Sequence, residues 1–113
     1  MNEITINLKQ VCKDNIYTRD HGHVLFDLIA QALPKYDKIT IEFDKKEIAS
    51  ESFLDEAIVE HYIHPVYPTP EKKIVLHEVT RSDQMLMNRI YSYRKRLEKK
   101  QAIAGDAKRN NRS

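Results

Sequence analysis

The chain is predicted to be a small α/β domain in the order β-α-β-α-β-α, with a mostly parallel or mixed sheet and a long basic C-terminal helix. Three observations predict it. Short runs with alternating apolar residues, or with a β-branched centre, occur three times, and each is followed by a segment whose apolar residues repeat at helical spacing. Prolines close the first two helical segments, at Pro34 and Pro65. The length of 113 residues suits a single core, which at this size buries roughly two-thirds of the unfolded surface without disulfide or metal. Strands joined by helices are normally parallel, with right-handed crossovers.

The first strand is read from Ile4, Ile6 and Leu8, which alternate with Thr5 and Asn7. Residues 11–17 are polar and irregular and are expected to hold at most a short extended piece. Thr18 is placed to cap a helix whose inward stripe is Val24, Leu25, Leu28, Ile29, Ala32 and Leu33. Ile39, Ile41 and Phe43 alternate with Lys38, Thr40 and Glu42 as the second strand, followed by a charged connection over residues 44–50. The clean alternation implies that one face of the sheet is less buried than in a doubly wound fold. The second helix is expected to start at Ser50 or Ser52 and to turn Phe53, Leu54, Ala57, Ile58, His61 and Tyr62 inward. Residues 64–71 carry three of the four prolines and read as a stiff loop. A third strand centres on Ile74-Val75-Leu76 within residues 73–79. Thr80 or Ser82 then caps the third helix, with Leu86, Ile90, Tyr93 and Leu97 as its stripe. The domain is drawn over residues 1–104, with 105–113 expected to be a basic, disordered tail.

Composition narrows the function classes. Two glycines leave no room for a Gly-rich phosphate loop. The single cysteine, Cys12, excludes an internal disulfide and any cysteine-built zinc or iron–sulfur cage, and fits a reducing compartment. No apolar run approaches the roughly 18 residues of a membrane span, so a cytoplasmic protein with no membrane association is expected.

The net charge of +2 hides a division. Residues 1–88 hold 10 Lys/Arg against 15 Asp/Glu, a net of −5; residues 89–113 hold 9 against 2, a net of +7. An acidic body with a basic end suggests a surface for phosphate or for an acidic protein patch, although cations near a helix C-terminus also complement its dipole.

The junction between the second strand and the second helix carries the most informative motif, Ser50-Glu51-Ser52-Phe53-Leu54-Asp55-Glu56-Ala57. Read physically, Ser50 or Ser52 caps the helix, Asp55 and Glu56 lie near its positive end, and Phe53 and Leu54 reach the core. The same residues form a polar rim beyond the carboxyl end of a strand, where open α/β sheets bind their ligands. Together with Tyr17-Thr18-Arg19-Asp20-His21-Gly22 at the first helix, this motif resembles the STAS-like domain family of unknown function. Those are small prokaryotic proteins related in shape to the anti-sigma-factor antagonists, and the resemblance covers residues 17–93. In the antagonists a serine at this turn accepts phosphate from a partner kinase; here Glu51 stands at that position and Phe53 at the position of a glycine. The resemblance therefore implies a non-catalytic module that binds a protein partner, with Glu51 as a permanent negative charge unless Ser50 or Ser52 takes the acceptor role. Ser50, Glu51, Ser52, Asp55 and Glu56 are the expected contact residues.

The remaining constellations are weaker. His61-x-x-His64 and His21-x-His23 do not supply the three or four converging ligands that zinc needs, so no metal or other cofactor is expected. His61, on the apolar stripe, is expected to be a partly buried histidine with a hydrogen-bond partner. Cys12 reads as a buried thiol. Asp55 and Glu56 are adjacent and diverge on a helix, so no acid–base pair is formed there, and the chain is not expected to be an enzyme. On the third helix, Leu86, Ile90, Tyr93 and Leu97 fall within about 40° of Leu86 at ~100° per residue. Arg89, Lys95, Arg96, Lys99 and Lys100 fill one sector beside them, with Arg94 on the other flank and Tyr91 and Tyr93 interleaved. The alternative reading is a nucleic-acid contact helix built on these six cations. The oligomeric state is left open.

Overall fold

A computed structural model describes the backbone of residues 2–110 and the side chains of residues 2–100. The sheet has three strands, β1 (Glu3–Asn7), β2 (Lys38–Glu42) and β3 (Ile74–His77), in the order β1-β2-β3. Both pairings are parallel, with Ile4 opposite Ile39 and Ile39 opposite Ile74. Between them lie α1 (Leu8–Val11), α2 (Arg19–Ala32), the continuous helix α3 over residues 51–63 and α4 (Pro70–Lys73), and α5 (Arg81–Asn110) follows.

The alternation in the strands decides which sheet face is covered. Ile6, Ile39, Ile41 and Ile74 are buried, whereas Thr5, Val75 and His77 on the opposite face are exposed. The sheet is thus a single layer covered on one side, where Leu25, Ile29 and Leu33 of α2 join Phe53, Leu54 and Ile58 of α3 in one core. Sequential right-handed crossovers place both connecting helices on one side, which accounts for this two-layer arrangement.

Several local expectations change. Leu8 does not extend β1; it opens the one-turn helix α1, because the Asn7 side chain caps Lys9 while Gln10 reaches back to the Asn7 N–H. On α2, Val24 and Leu28 face outward, so the inward stripe narrows to Leu25, Ile29, Ala32 and Leu33. Gly22 is buried at the crossing of α2 and α3, where a Cβ would stand 2.9 Å from the Phe53 carbonyl. The loop after α3 contains the helical turn α4, started by Pro70 in the first position that a missing N–H suits best. Lys73 therefore belongs to α4 rather than to β3, and its ammonium donates to the Leu33 carbonyl (2.7 Å). The third helix runs through Gly105 to Asn110 instead of fraying before Gly105. Its Ala, Gln and Lys residues favour helix strongly enough to carry one glycine. Side chains from residue 101 onward and residues 111–113 lie outside the described residues.

α3 has an irregularity that nothing in the sequence announces. Glu51–Leu54 and Glu60–Ile63 are α-helical, but Asp55–Val59 between them is π-helical, so the Glu60 N–H reaches back five residues to the Asp55 carbonyl. His61, in the α-helical turn that follows, is fully inside. The His61 ring stacks on Phe26 (centroids 4.0 Å apart), and neither of its nitrogens has a hydrogen-bond partner among the described residues. This corrects the expectation of a partly buried, partnered histidine. Cys12 is buried as expected, and burial pushes its thiol up, away from the reactive thiolate.

The N-terminal turn of α5 is fastened to the body by a buried carboxylate. Asp83 is fully buried and accepts from the N–H groups of Ile48 (2.7 Å) and Ala49 (2.9 Å). Thr80, not Ser82, is the cap, its hydroxyl accepting from the Asp83 N–H (3.2 Å). Ala49 is held at φ 51°, a left-handed value uncommon for alanine. Asp83→Ala leaves both donors without a partner and is expected to cost about 2–4 kcal/mol, from roughly 1–3 kcal/mol per orphaned group. Asp83→Asn, which keeps one acceptor, should cost about half that in urea unfolding; an Ala variant as stable as the parent would refute this role.

Burial lowers the His61 pKa from 6.5 to about 4. The folded state therefore resists protonation, so stability is full above pH 6.5 and declines as the pH falls from there toward 4. His61→Phe should remove that decline, measured as the difference in urea midpoint between pH 5 and pH 7.5.

Candidate functional site

The strand-to-helix junction is built from the capping serine outward. Ser50 is the N-cap: its hydroxyl accepts from the Phe53 N–H (3.3 Å) and donates to the Tyr17 carbonyl (2.7 Å). Ser50 thereby ties α3 to the segment before α2, where the Tyr17 ring meets Phe53 edge-on at 5.4 Å. Ser52 lies half-buried in the first turn, and Glu51 beside it is exposed with no ion pair among the described residues.

Asp55 and Glu56 diverge as their adjacency demands, and each is engaged inside the molecule. Glu56 turns to α2, where Arg19 (3.1 Å) and His23 (3.3 Å) meet its two oxygens. Asp55 turns to α5 and accepts from the Arg94 guanidinium at 2.7 Å. Arg94 also donates to Glu60, so one cation bridges two carboxylates on successive turns of α3. Of the six candidate contact cations on the third helix, Arg94 is therefore not a free contact residue: it docks α5 onto α3. Arg89, Lys95, Arg96, Lys99 and Lys100 are all exposed, with the Lys95 ammonium 5.7 Å from the centre of the Tyr91 ring.

His64 extends this clamp. Its Nδ1 lies 2.6 Å from Glu60 and its Nε2 2.7 Å from Glu98 on α5. Ionised carboxylates only accept, so both ring nitrogens donate and the imidazole is held as the cation. The hydrogen bonds to Glu60 and Glu98 raise its pKa. Burial of Glu60 opposes its ionisation, but the hydrogen bonds from Arg94 and His64 outweigh that and lower its pKa. Glu60 and Glu98 were not singled out in the sequence, and His64 was weighed only as a metal ligand; the signal was two i,i+4 pairs, Glu60–His64 and Arg94–Glu98, on helices that face each other.

The clamp leaves a groove of about 530 Å³ beside it, between the first turn of α3 and the outer side of α5. Glu51 and Asp55 form one wall, and Leu86, Ile90, Tyr93 and Leu97, bordered by Arg89 and Arg96, form the other. The expected inward stripe of α5 is thus only half engaged. Ile90 is buried and Leu86 partly so, whereas Tyr93 is 55% and Leu97 38% exposed. Both regions singled out in the sequence, the α3 start and the basic helix, meet in this groove. Among the described residues, no group of three or more His, Cys, Asp or Glu is placed to hold a metal ion, and no helix is long and apolar enough to cross a membrane. Comparisons with protein-family models, with curated proteins and with solved structures found no match.

A histidine whose pKa is raised on folding contributes its stability below the ordinary value, and that contribution is lost as the pH rises through the raised one. The α5–α3 clamp should therefore loosen on the alkaline side of the usual histidine range. His64→Gln should flatten that part of the stability profile, and a His64 ring titrating at or below 6.5 by NMR would rule the clamp out.

Proposed function

We propose that the chain is a non-enzymatic regulatory or adaptor module, STAS-like in type, that binds a protein partner at the start of α3 and in the groove beside it. The observation that carries this reading is the exposure of Tyr93 and Leu97 in the groove that Glu51 and Asp55 wall. Large apolar side chains grouped beside a polar rim are a usual composition for a protein contact. Of the five residues at the helix start, Glu51 is the one directly available to a partner. Ser50, Asp55 and Glu56 act by holding the surface in shape, through Tyr17, Arg94, and Arg19 with His23 respectively. The junction motif, with its likeness to the antagonists' phosphoacceptor turn, supports a regulatory role at the same place.

A second reading, contact with nucleic acid, is favoured by the exposure of Arg89, Lys95, Arg96, Lys99 and Lys100 along one helix. Loss of Arg94 to the clamp removes one of its six cations without emptying the patch.

Photo-crosslinking separates the two. A benzophenone amino acid at position 51 or 93, introduced into the full chain in its native cells, should give a protein adduct, while the same group at Thr5 on the open sheet face should not. Glu51→Lys should weaken the adduct formed from position 93 without changing the melting temperature. Adducts to nucleic acid from position 93, with none to protein from either groove position, would reverse the order of the readings.

A further inference from the structure

We infer that the groove receives an amphipathic helix of a partner protein whose apolar stripe is bordered by Asp or Glu, laid along the outer side of α5. This rests on the protein-binding reading and specifies the partner's chemistry.

The first argument is spacing. Leu86, Ile90, Tyr93 and Leu97 follow one another at intervals of four, three and four residues, the 3.5-residue repeat by which one helix accepts another lengthwise. Ile90 is committed to the body, but Tyr93 and Leu97 are open and line the groove.

The second argument is charge. Arg89 and Arg96 stand seven residues apart on one border of the stripe, and both line the groove. The other border holds Met87, which is buried, and Arg94, which Asp55 and Glu60 already neutralise, and it faces Glu51 across the groove. Among the described residues, Arg89, Arg96, Lys99 and Lys100 make no ion pair. The surface therefore offers unmatched positive charge on one side of an apolar strip. A helix with carboxylates along the facing border satisfies both features at once.

The same borders argue against two other occupants. In an antiparallel pairing of two copies the Arg89 and Arg96 borders would face each other, and like charges oppose it. Nucleic acid would match the cations but leave the aliphatic Leu86 and Leu97 without an apolar surface to cover them.

The test is fluorescence anisotropy on the full chain with labelled synthetic helices of about four heptads, leucine at the seam, glutamine on one border and either Glu or Lys on the other. The Glu-bordered helix should bind at least about tenfold more tightly than the Lys-bordered one at moderate salt. Tyr93→Ser with Leu97→Ser should remove that binding while circular dichroism stays unchanged, since both side chains are largely exposed. Arg89→Glu with Arg96→Glu should invert the preference between the two helices.

Equal affinity for the two helices, or binding that survives the double serine variant, would overturn the inference. So would a 25-base-pair DNA duplex that binds more tightly than either helix, or a homodimer in sedimentation that dissociates on Leu97→Ser. Protein cross-links from positions 51 and 93 without preference for the Glu-bordered helix would overturn the helix proposal and leave the protein-binding reading standing. Absence of those cross-links would remove the protein-binding reading itself.

Discussion

The buried carboxylate of Asp83 is the constraint on which the rest of the arrangement depends. Its two oxygens occupy the N–H groups of Ile48 and Ala49, the last residues before the Ser50 cap. Ser50 in turn is bonded to the Tyr17 carbonyl, just before α2. One short chain of hydrogen bonds thus links the starts of α5, α3 and α2. The Asp83–Ile48 bond is the strongest positional device because it is buried: displacing the carboxylate would leave the Ile48 N–H without its partner inside the fold. The left-handed backbone at Ala49 is tolerated for the same reason, being held from both sides. The groove inherits its shape from this chain, since its walls are the first turn of α3 and the outer side of α5.

Asp83 also explains why the sequence misplaces the inner face of α5. Counting about 100° per residue, Leu86, Ile90, Tyr93 and Leu97 centre near Leu86. The residues that touch the body are Asp83, Met87, Ile90, Arg94 and Glu98, centred roughly 80° away by the same count. Three of those five are charged, and hydropathy assigns charged residues to solvent. Neither Asp83 nor Arg94 is an ordinary surface charge, because each has its partners waiting on another element. The strands posed no such problem. Ile39, Ile41 and Phe43 show their side of the sheet by alternation alone, and all three are buried. What was legible was therefore the order of elements, the parallel sheet with one open face, and the Thr18 cap. What was not legible was set by pairings between residues more than thirty positions apart.

The α2–α3 crossing shows the same division at a finer scale. Gly22 lies in the Arg19-Asp20-His21-Gly22 run, a weak motif as a string of letters. In space it is the point where two helices come close enough for a Cβ to strike the Phe53 carbonyl. One turn later α3 widens into its π-helical segment, which separates Asp55, facing α5, from Glu56, facing α2. The motif residues were thus the right ones to notice for a partly different reason. Glu51 remains at the surface, while Ser50, Asp55 and Glu56 join the helices that form it. Such a division is common where a surface must be both shaped and accessible, because a side chain held by two internal partners has little left to offer a third.

The division of charge along the chain becomes a division in space, and it resists internal cancellation. The acidic body could in principle neutralise the basic helix, but apart from Glu51 its carboxylates nearest α5 are already occupied. Asp55 and Glu60 share Arg94, His64 joins Glu60 to Glu98, and Asp83 is spent on backbone donors. Each of these contacts uses an anion to fix the position of α5, and among the described residues Arg89, Arg96, Lys99 and Lys100 remain without an ion pair. At physiological salt, carboxylates farther off than about 8 Å are largely screened. The excess positive charge at Arg89, Arg96, Lys99 and Lys100 is therefore a consequence of how the helix is anchored. It sits beside Tyr93 and Leu97 because the buried side of α5 is turned toward Asp83 and Arg94, away from the apolar stripe. The anchoring that holds the helix and the surface left for another molecule follow from the same set of ion pairs.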